Sequence, residues 1–266
     1  MNLLLDFLCR FGWGMAAGLV LTPAGIVPAG FFRVNLLVVL GLATAAALVA
    51  RGNAGGVSWM IAAAAAVVAW FGSVAWLGER RRAGLWFCGV TAVLLAAATA
   101  IVAVTPLGEA SPGVVAGGAI ETGGGIETGS LGAAAAGRAA AALLSGLVSG
   151  LAVHAMLLGH WYLNAPGMRV DALRRMIDLA AVAWGLQMAW SGAALFAGGW
   201  PGGGTTATAL FALRWLAGLV GLPILLLMAR KTLDIPNTQS ATGILYVACL
   251  AAILGELTAQ LLQAAG

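Results

Sequence analysis

The sequence predicts an all-α, polytopic transmembrane helix bundle, and three observations carry that reading. Of 266 residues, 62% are hydrophobic and 8% charged, and the mean hydropathy is +1.00. Apolar stretches recur at lengths of about 20 residues, the length a helix needs to cross the hydrocarbon core. Lys and Arg then gather in alternate connections. A soluble domain is roughly 45–50% apolar and about 25% charged. With 13 Lys+Arg and 9 Asp+Glu, this chain cannot cover a soluble surface. A cytosolic enzyme or a nucleic-acid binder is therefore excluded, and the lipid bilayer is the expected surrounding. The net charge of +4 reports topology, not an acidic ligand.

Eight spans are expected, about Phe7–Val27, Phe32–Ala50, Val57–Leu77, Gly84–Thr105, Ala139–Tyr162, Leu173–Ala197, Ala207–Ala229 and Ala241–Ala264. The first carries Asp6 and Arg10 where the h-region of a leader would be uninterrupted, so it is read as a span and not as a cleavable leader. The second starts among Arg33 and Asn35, and only Leu36–Ala50 is cleanly apolar, so it is expected to be short or tilted. Between the fourth and fifth lies a Gly-, Ala- and Ser-rich stretch, residues 106–138, holding a duplication of Ile120-Glu121-Thr122-Gly123 as Ile126-Glu127-Thr128-Gly129. Its glycines follow no strand and precede no Lys-Ser or Lys-Thr, so it is read as a flexible exterior loop and not a phosphate cradle. It divides one membrane domain into four-span halves, residues 1–105 and 139–266.

Orientation follows from Lys and Arg. Arg33, Arg80, Arg81, Arg82, Arg169, Arg174, Arg175, Arg230 and Lys231 fall in odd-numbered connections, against Arg10, Arg51 and Arg138 on the other side. By the positive-inside rule both termini lie on the exterior of a bacterial-type inner membrane. An odd number of spans would spoil the separation.

Ionisable residues inside a bilayer cost several kcal/mol and are functional candidates by default. Arg214 lies about 12 Å into the seventh span and Glu256 at a similar depth in the last, at 1.5 Å per residue. They can neutralise one another as an interhelical pair, or line a pocket where a carboxylate takes a proton and a guanidinium polarises a carbonyl. Gln260, one turn beyond Glu256, shares its face. Arg10, at similar depth in the first span, is a further member of this candidate polar set, able to join the pocket or to snorkel to the interface. Gln187, between Trp184 and Trp190, is a buried amide in need of a partner.

Both histidines fall on the fifth span. Six residues apart, His154 and His160 point about 120° from one another, so they cannot face one partner. With no histidine on any other span, an intrachain bis-histidine haem is excluded, and Met188 or Met228 would be needed as the second ligand. His160 beside Trp161 and Tyr162 reads as an interfacial aromatic belt. His154, deeper, is either a structural histidine of the bundle or a neutral imidazole able to donate to a quinone or relay a proton. Cys9, Cys88 and Cys249 have no metal or disulfide spacing. No metal and no intrinsic cofactor are expected. Gly14 with Gly18, and Gly146 with Gly150, have the spacing that allows close helix contact. Pro28, Pro201 and Pro223 are candidate helix breakers.

The last span reads Leu254-Gly255-Glu256-Leu257-Thr258-Ala259-Gln260. Its Gly-Glu-Leu followed by an apolar run resembles the final span of the polysulfide/dimethyl-sulfoxide reductase type of membrane anchor. The match covers about ten residues, and Gln260 stands where that family has an arginine. The resemblance implies a quinone-binding subunit that passes electrons between membrane quinone and a partner iron–sulfur subunit, with Glu256 at the polar site. A proton-coupled transporter or channel, and a structural or assembly subunit without a ligand, are the competing readings.

Overall fold

A computed structural model describes residues 3–52, 56–105, 127–165, 169–198, 204–235 and 237–265. The described chain is helical, with no strand among these residues: α1 Leu3–Leu21, α2 Ala29–Gly52, α3 Val57–Leu77, α4 Arg81–Val104, α5 Glu127–Asn164, α6 Asp171–Gly198, α7 Thr205–Leu213, α8 Leu222–Thr232 and α9 Thr238–Ala265. A π-helical segment, Arg214–Gly221, joins α7 to α8, so Thr205–Thr232 is one span. Eight helical stretches are then long and apolar enough to cross a membrane, as the hydropathy predicts. Arg10, early in α1, reaches Gln263 near the end of α9. Both chain ends therefore lie at one face of the bundle, here the terminal face.

Several boundaries move for identifiable reasons. The first span ends at Leu21 and not at Val27, because Pro23 and Gly25 follow and Thr22 turns its hydroxyl back to the Gly18 carbonyl. The second is 24 residues long and not short. Asn35 satisfies its own amide by donating to the Phe31 carbonyl, and Arg33 points away from the bundle. The expected loop 106–138 is helical from Glu127 onward, since α5 runs for 38 residues. The tetra-alanine run Ala133–Ala136 has the highest helix propensity available. The first copy of the duplicated motif, and Pro201, lie outside the described residues.

The seventh span explains its own irregularity. Pro223 has no N–H to donate, so the Leu219 carbonyl four residues earlier loses its α-helical partner. Trp184 Nε1 of α6 donates to that carbonyl at 3.0 Å. Upstream the turn widens, and the N–H of Leu222 bonds to the Ala217 carbonyl five residues back. Widened turns of this kind often sit at functional sites.

The two halves interlock through α1 and α5, which run parallel. Along one face of α1, Asp6, Arg10, Gly14, Gly18 and Thr22 recur every four residues, and along α5 so do Gly146, Gly150 and His154. The faces meet in order. A Cβ on Gly146 would stand 2.5 Å from the Arg10 carbonyl oxygen, a Cβ on Gly150 would strike the Gly14 backbone, and one on Gly18 would stand 2.6 Å from His154 Cγ. Only glycine allows that separation. The seam is thus glycine in its middle and polar at both ends, which places Arg10 and His154 inside the protein.

Candidate functional site

Arg10 occupies the terminal-side end of this seam and is 4% exposed. It does not snorkel, because the glycine crossing puts the Arg10 face of α1 against α5 and α9. Its guanidinium is paired with buried carboxylates instead. Nε donates to Asp6 Oδ1 at 2.8 Å, and Nη2 lies 2.6 Å from Asp6 Oδ2. Nη1 donates to Glu256 Oε1 at 3.1 Å and to Ser145 Oγ at 3.3 Å, while Nη2 also reaches Gln263 Oε1 at 3.3 Å. Asp6 and Glu256 are 1% and 3% exposed. Buried charges of this kind persist only when paired and hydrogen-bonded, and three helices supply the partners here.

Glu256 is therefore the ion-pair partner of Arg10 and not of Arg214. Arg214 donates from Nη2 to Ser191 Oγ of α6 at 3.0 Å and remains within electrostatic reach of Glu256 and Arg10. The matching depths of Arg214 and Glu256 do place them at one cleft, which Gln187, Ser145 and Val148 also line. Gly255 and Gly218 make this possible. A Cβ on Gly218 would stand 2.9 Å from Gly255 Cα, so the π-helical segment lies directly on α9 beside Glu256. The cleft has a volume of about 10 Å³, room for about one water molecule.

Three buried acceptors of this cluster have no hydrogen-bond donor, Asp6 Oδ2 among them. Glu256 Oε1 takes both the Arg10 proton and that of Gln260 Nε2, at 2.8 Å, which leaves Glu256 Oε2 and Gln260 Oε1 buried and unbonded. A buried carboxylate oxygen without a donor costs free energy, and here it belongs to a residue lining the cleft. The wall opposite α9 is the least secured. Helix α6 packs on α5 and α8 but scarcely touches α7 or the π-helical segment. The Arg214–Ser191 and Trp184–Leu219 hydrogen bonds cross that gap. At the other face α6 is held by exposed ion pairs, Arg230 with Asp178 at 2.9 Å and Arg174 with Asp234 at 3.7 Å.

The histidines are elsewhere and have separate partners, as their angular separation requires. Thr22 donates its hydroxyl proton to the Gly18 carbonyl at 2.7 Å, so its oxygen accepts from His154 Nε2 at 2.8 Å. This assigns the Nε2–H tautomer. His154 is 0% exposed, packs edge-on to Phe31, and leaves Nδ1 unpartnered. His160 is exposed and its Nδ1 lies 3.0 Å from the Tyr246 hydroxyl. No cluster of three or more His, Cys, Asp or Glu that could hold a metal occurs among the described residues.

Asp6, Ser145, Ser191 and Gln263 complete the site, and none was a candidate on sequence alone. The signal for Asp6 was present, since it precedes Arg10 by four residues, the spacing of a helical ion pair. The serines carry no such signal. No protein family matches the chain, nor does any curated protein or solved structure.

Proposed function

We propose that this integral membrane protein binds a quinone at the cleft formed by α5, α6, the π-helical segment and α9. The observation that carries the reading is the unpartnered, buried Glu256 Oε2 at a cleft that also presents Arg214. A quinol has a hydroxyl to give and a carbonyl to be polarised. Glu256 Oε2 is an acceptor for the first, and Arg214, with Gln187 beside it, is a donor for the second. The unsecured contact between α6 and α7 supports entry from the bilayer, because a molecule with an isoprenoid tail arrives through lipid. In the closed form the cleft has room for one water, so a headgroup enters when the Arg214–Ser191 hydrogen bond opens.

Oxidation of a quinol releases two electrons with its two protons. In this reading the chain's carboxylates take the protons, and a partner iron–sulfur subunit, as the resemblance of the last span implies, takes the electrons. In this reading the protein is the membrane subunit of a respiratory complex in a bacterial-type inner membrane, with its terminal face exterior. Tryptophan fluorescence of the purified chain tests it, with Trp184 at the edge of the cleft. Addition of a ubiquinone or menaquinone analogue quenches the wild type saturably, and Arg214→Gln weakens binding about tenfold, the value of one charge-assisted hydrogen bond. Absence of saturable quenching by either analogue refutes the reading.

A second reading, a proton-coupled transporter, draws on the break in the seventh span at the same level as the buried charges. Substrate uptake into proteoliposomes driven by a proton gradient distinguishes it.

A further inference from the structure

We propose that Asp6 is the permanent counter-ion of Arg10, and that it is the positioning residue that frees Glu256 to gain and lose a proton. The inference rests on the reading that Glu256 exchanges a proton at the cleft. Its origin is the unequal way the two carboxylates hold one guanidinium. Asp6 meets Arg10 with both oxygens, Oδ1 hydrogen-bonded to Nε at 2.8 Å and Oδ2 in an ion contact 2.6 Å from Nη2 that is not a hydrogen bond. Glu256 offers Nη1 a single oxygen at 3.1 Å and shares that oxygen with Gln260. The closer ion contact, made by both oxygens, is the stronger by distance, and it lies within one turn of one helix.

Charge then assigns the roles. Facing Glu256 are Asp6 and Arg10 from α1 and Arg214 from the π-helical segment, while α5 and α6 present the neutral Ser145 and Gln187. With both carboxylates ionised, two negative groups face two positive ones. When a donor gives its proton to Glu256, the donor O–H bond breaks and a new O–H bond forms at Oε2. Glu256 passes from −1 to neutral, and the donor oxygen keeps the electron pair and the negative charge, facing Arg214. Through this step Asp6 still neutralises Arg10, so no bare cation is left in the membrane. Without Asp6, Glu256 is the one remaining carboxylate bonded to Arg10 among the described residues. A buried guanidinium with a single counter-ion holds it ionised, and Glu256 can no longer cycle.

The test is pH-difference infrared spectroscopy of the full chain in lipid nanodiscs, reading the carbonyl stretch of a protonated carboxyl group. Wild type shows one such band, and Glu256→Gln removes it. Asp6→Asn lowers the proton affinity read from the band by at least about tenfold or abolishes it within the accessible range. Asp6→Glu restores the band, and so does Asp6→Asn combined with Arg10→Gln, because the unbalanced cation is then gone. Circular dichroism reports whether each variant folds. If Asp6→Asn does not, the double variant decides: loss of its band overturns the proposal. So does a band that titrates in Asp6→Asn as in wild type, or one that survives Glu256→Gln and vanishes with Asp6. A wild type with no band refutes proton exchange at Glu256 itself, and failure of quinone to bind while the band pattern holds refutes only the choice of quinone.

Discussion

Arg10 shows how one side chain couples distant parts of this chain, because its guanidinium joins residues 246 positions apart. Removing it strands two carboxylates in a low-dielectric interior. Arg10→Gln is expected to cost about 3–5 kcal/mol, the range for breaking a buried pair, read as a lower thermal midpoint in detergent. Glu256→Gln keeps an acceptor for Nη1 and leaves Asp6 in place, so its cost is about 1–2 kcal/mol. Equal losses for the two would contradict the unequal sharing. At the other end of the seam, Thr22→Val leaves His154 Nε2–H without an acceptor, at about 1–3 kcal/mol, whereas Thr22→Ser preserves it. Sequence pattern reached Arg214, Glu256, Gln260 and Gln187 as polar residues at membrane depth, and the structure places all four at or beside one cleft. It left Arg10 between that polar set and the interface, because snorkelling and burial depend on which face of α1 meets a neighbour. Periodicity gives the face, not the neighbour.

Among the helices, the parallel contact of α1 with α5 sets everything else. Its glycines were visible as two separate four-residue spacings, and what the sequence withheld was that they oppose each other. A methyl group at Gly146 would meet the Arg10 main chain, and neither backbone can yield without moving Arg10 from its carboxylates. Gly146→Ala is expected to destabilise by about 1–3 kcal/mol, as overpacking does. Gly41, in α2, has open space around its Cα, so Gly41→Ala should be neutral or stabilising by up to about 1 kcal/mol. Parallel thermal melts of the two variants check the pair, and a similar loss for both would show that general glycine effects, not the crossing, are being measured. Spans were legible because hydrocarbon thickness imposes their length. Their ends were less so, since Pro23 and the alanines before Arg138 act locally, beyond the reach of a hydropathy window. The π-helical turn had its cause in Pro223, but a proline in a span predicts a disturbance without specifying a widened turn.

Taken as a whole, the molecule is one bundle whose two sequence halves are joined by a packed interface. The contact of α1 and α4 with α5 lies wholly between the halves. Residues 1–105 and 127–266, expressed together as separate chains, are expected to co-purify in mild detergent, and Gly14→Leu should separate them. Recovery of the first half alone from the unmodified pair would refute this. The joined bundle also bears on assembly during synthesis. Asp6 and Arg10 enter the bilayer as neighbours one turn apart, so the first helix arrives almost self-neutralised. Glu256 is made 246 residues after Arg10, a delay of about 12–50 s at 5–20 residues per second. Throughout that interval Arg10 lacks its second carboxylate and Gln263 is not yet made. The last helix is thus a completion signal: in a nascent or truncated chain Arg10 keeps Asp6 as its counter-ion but has guanidinium N–H groups without acceptors from the last helix, a feature by which a quality-control protease could tell unfinished molecules from finished ones.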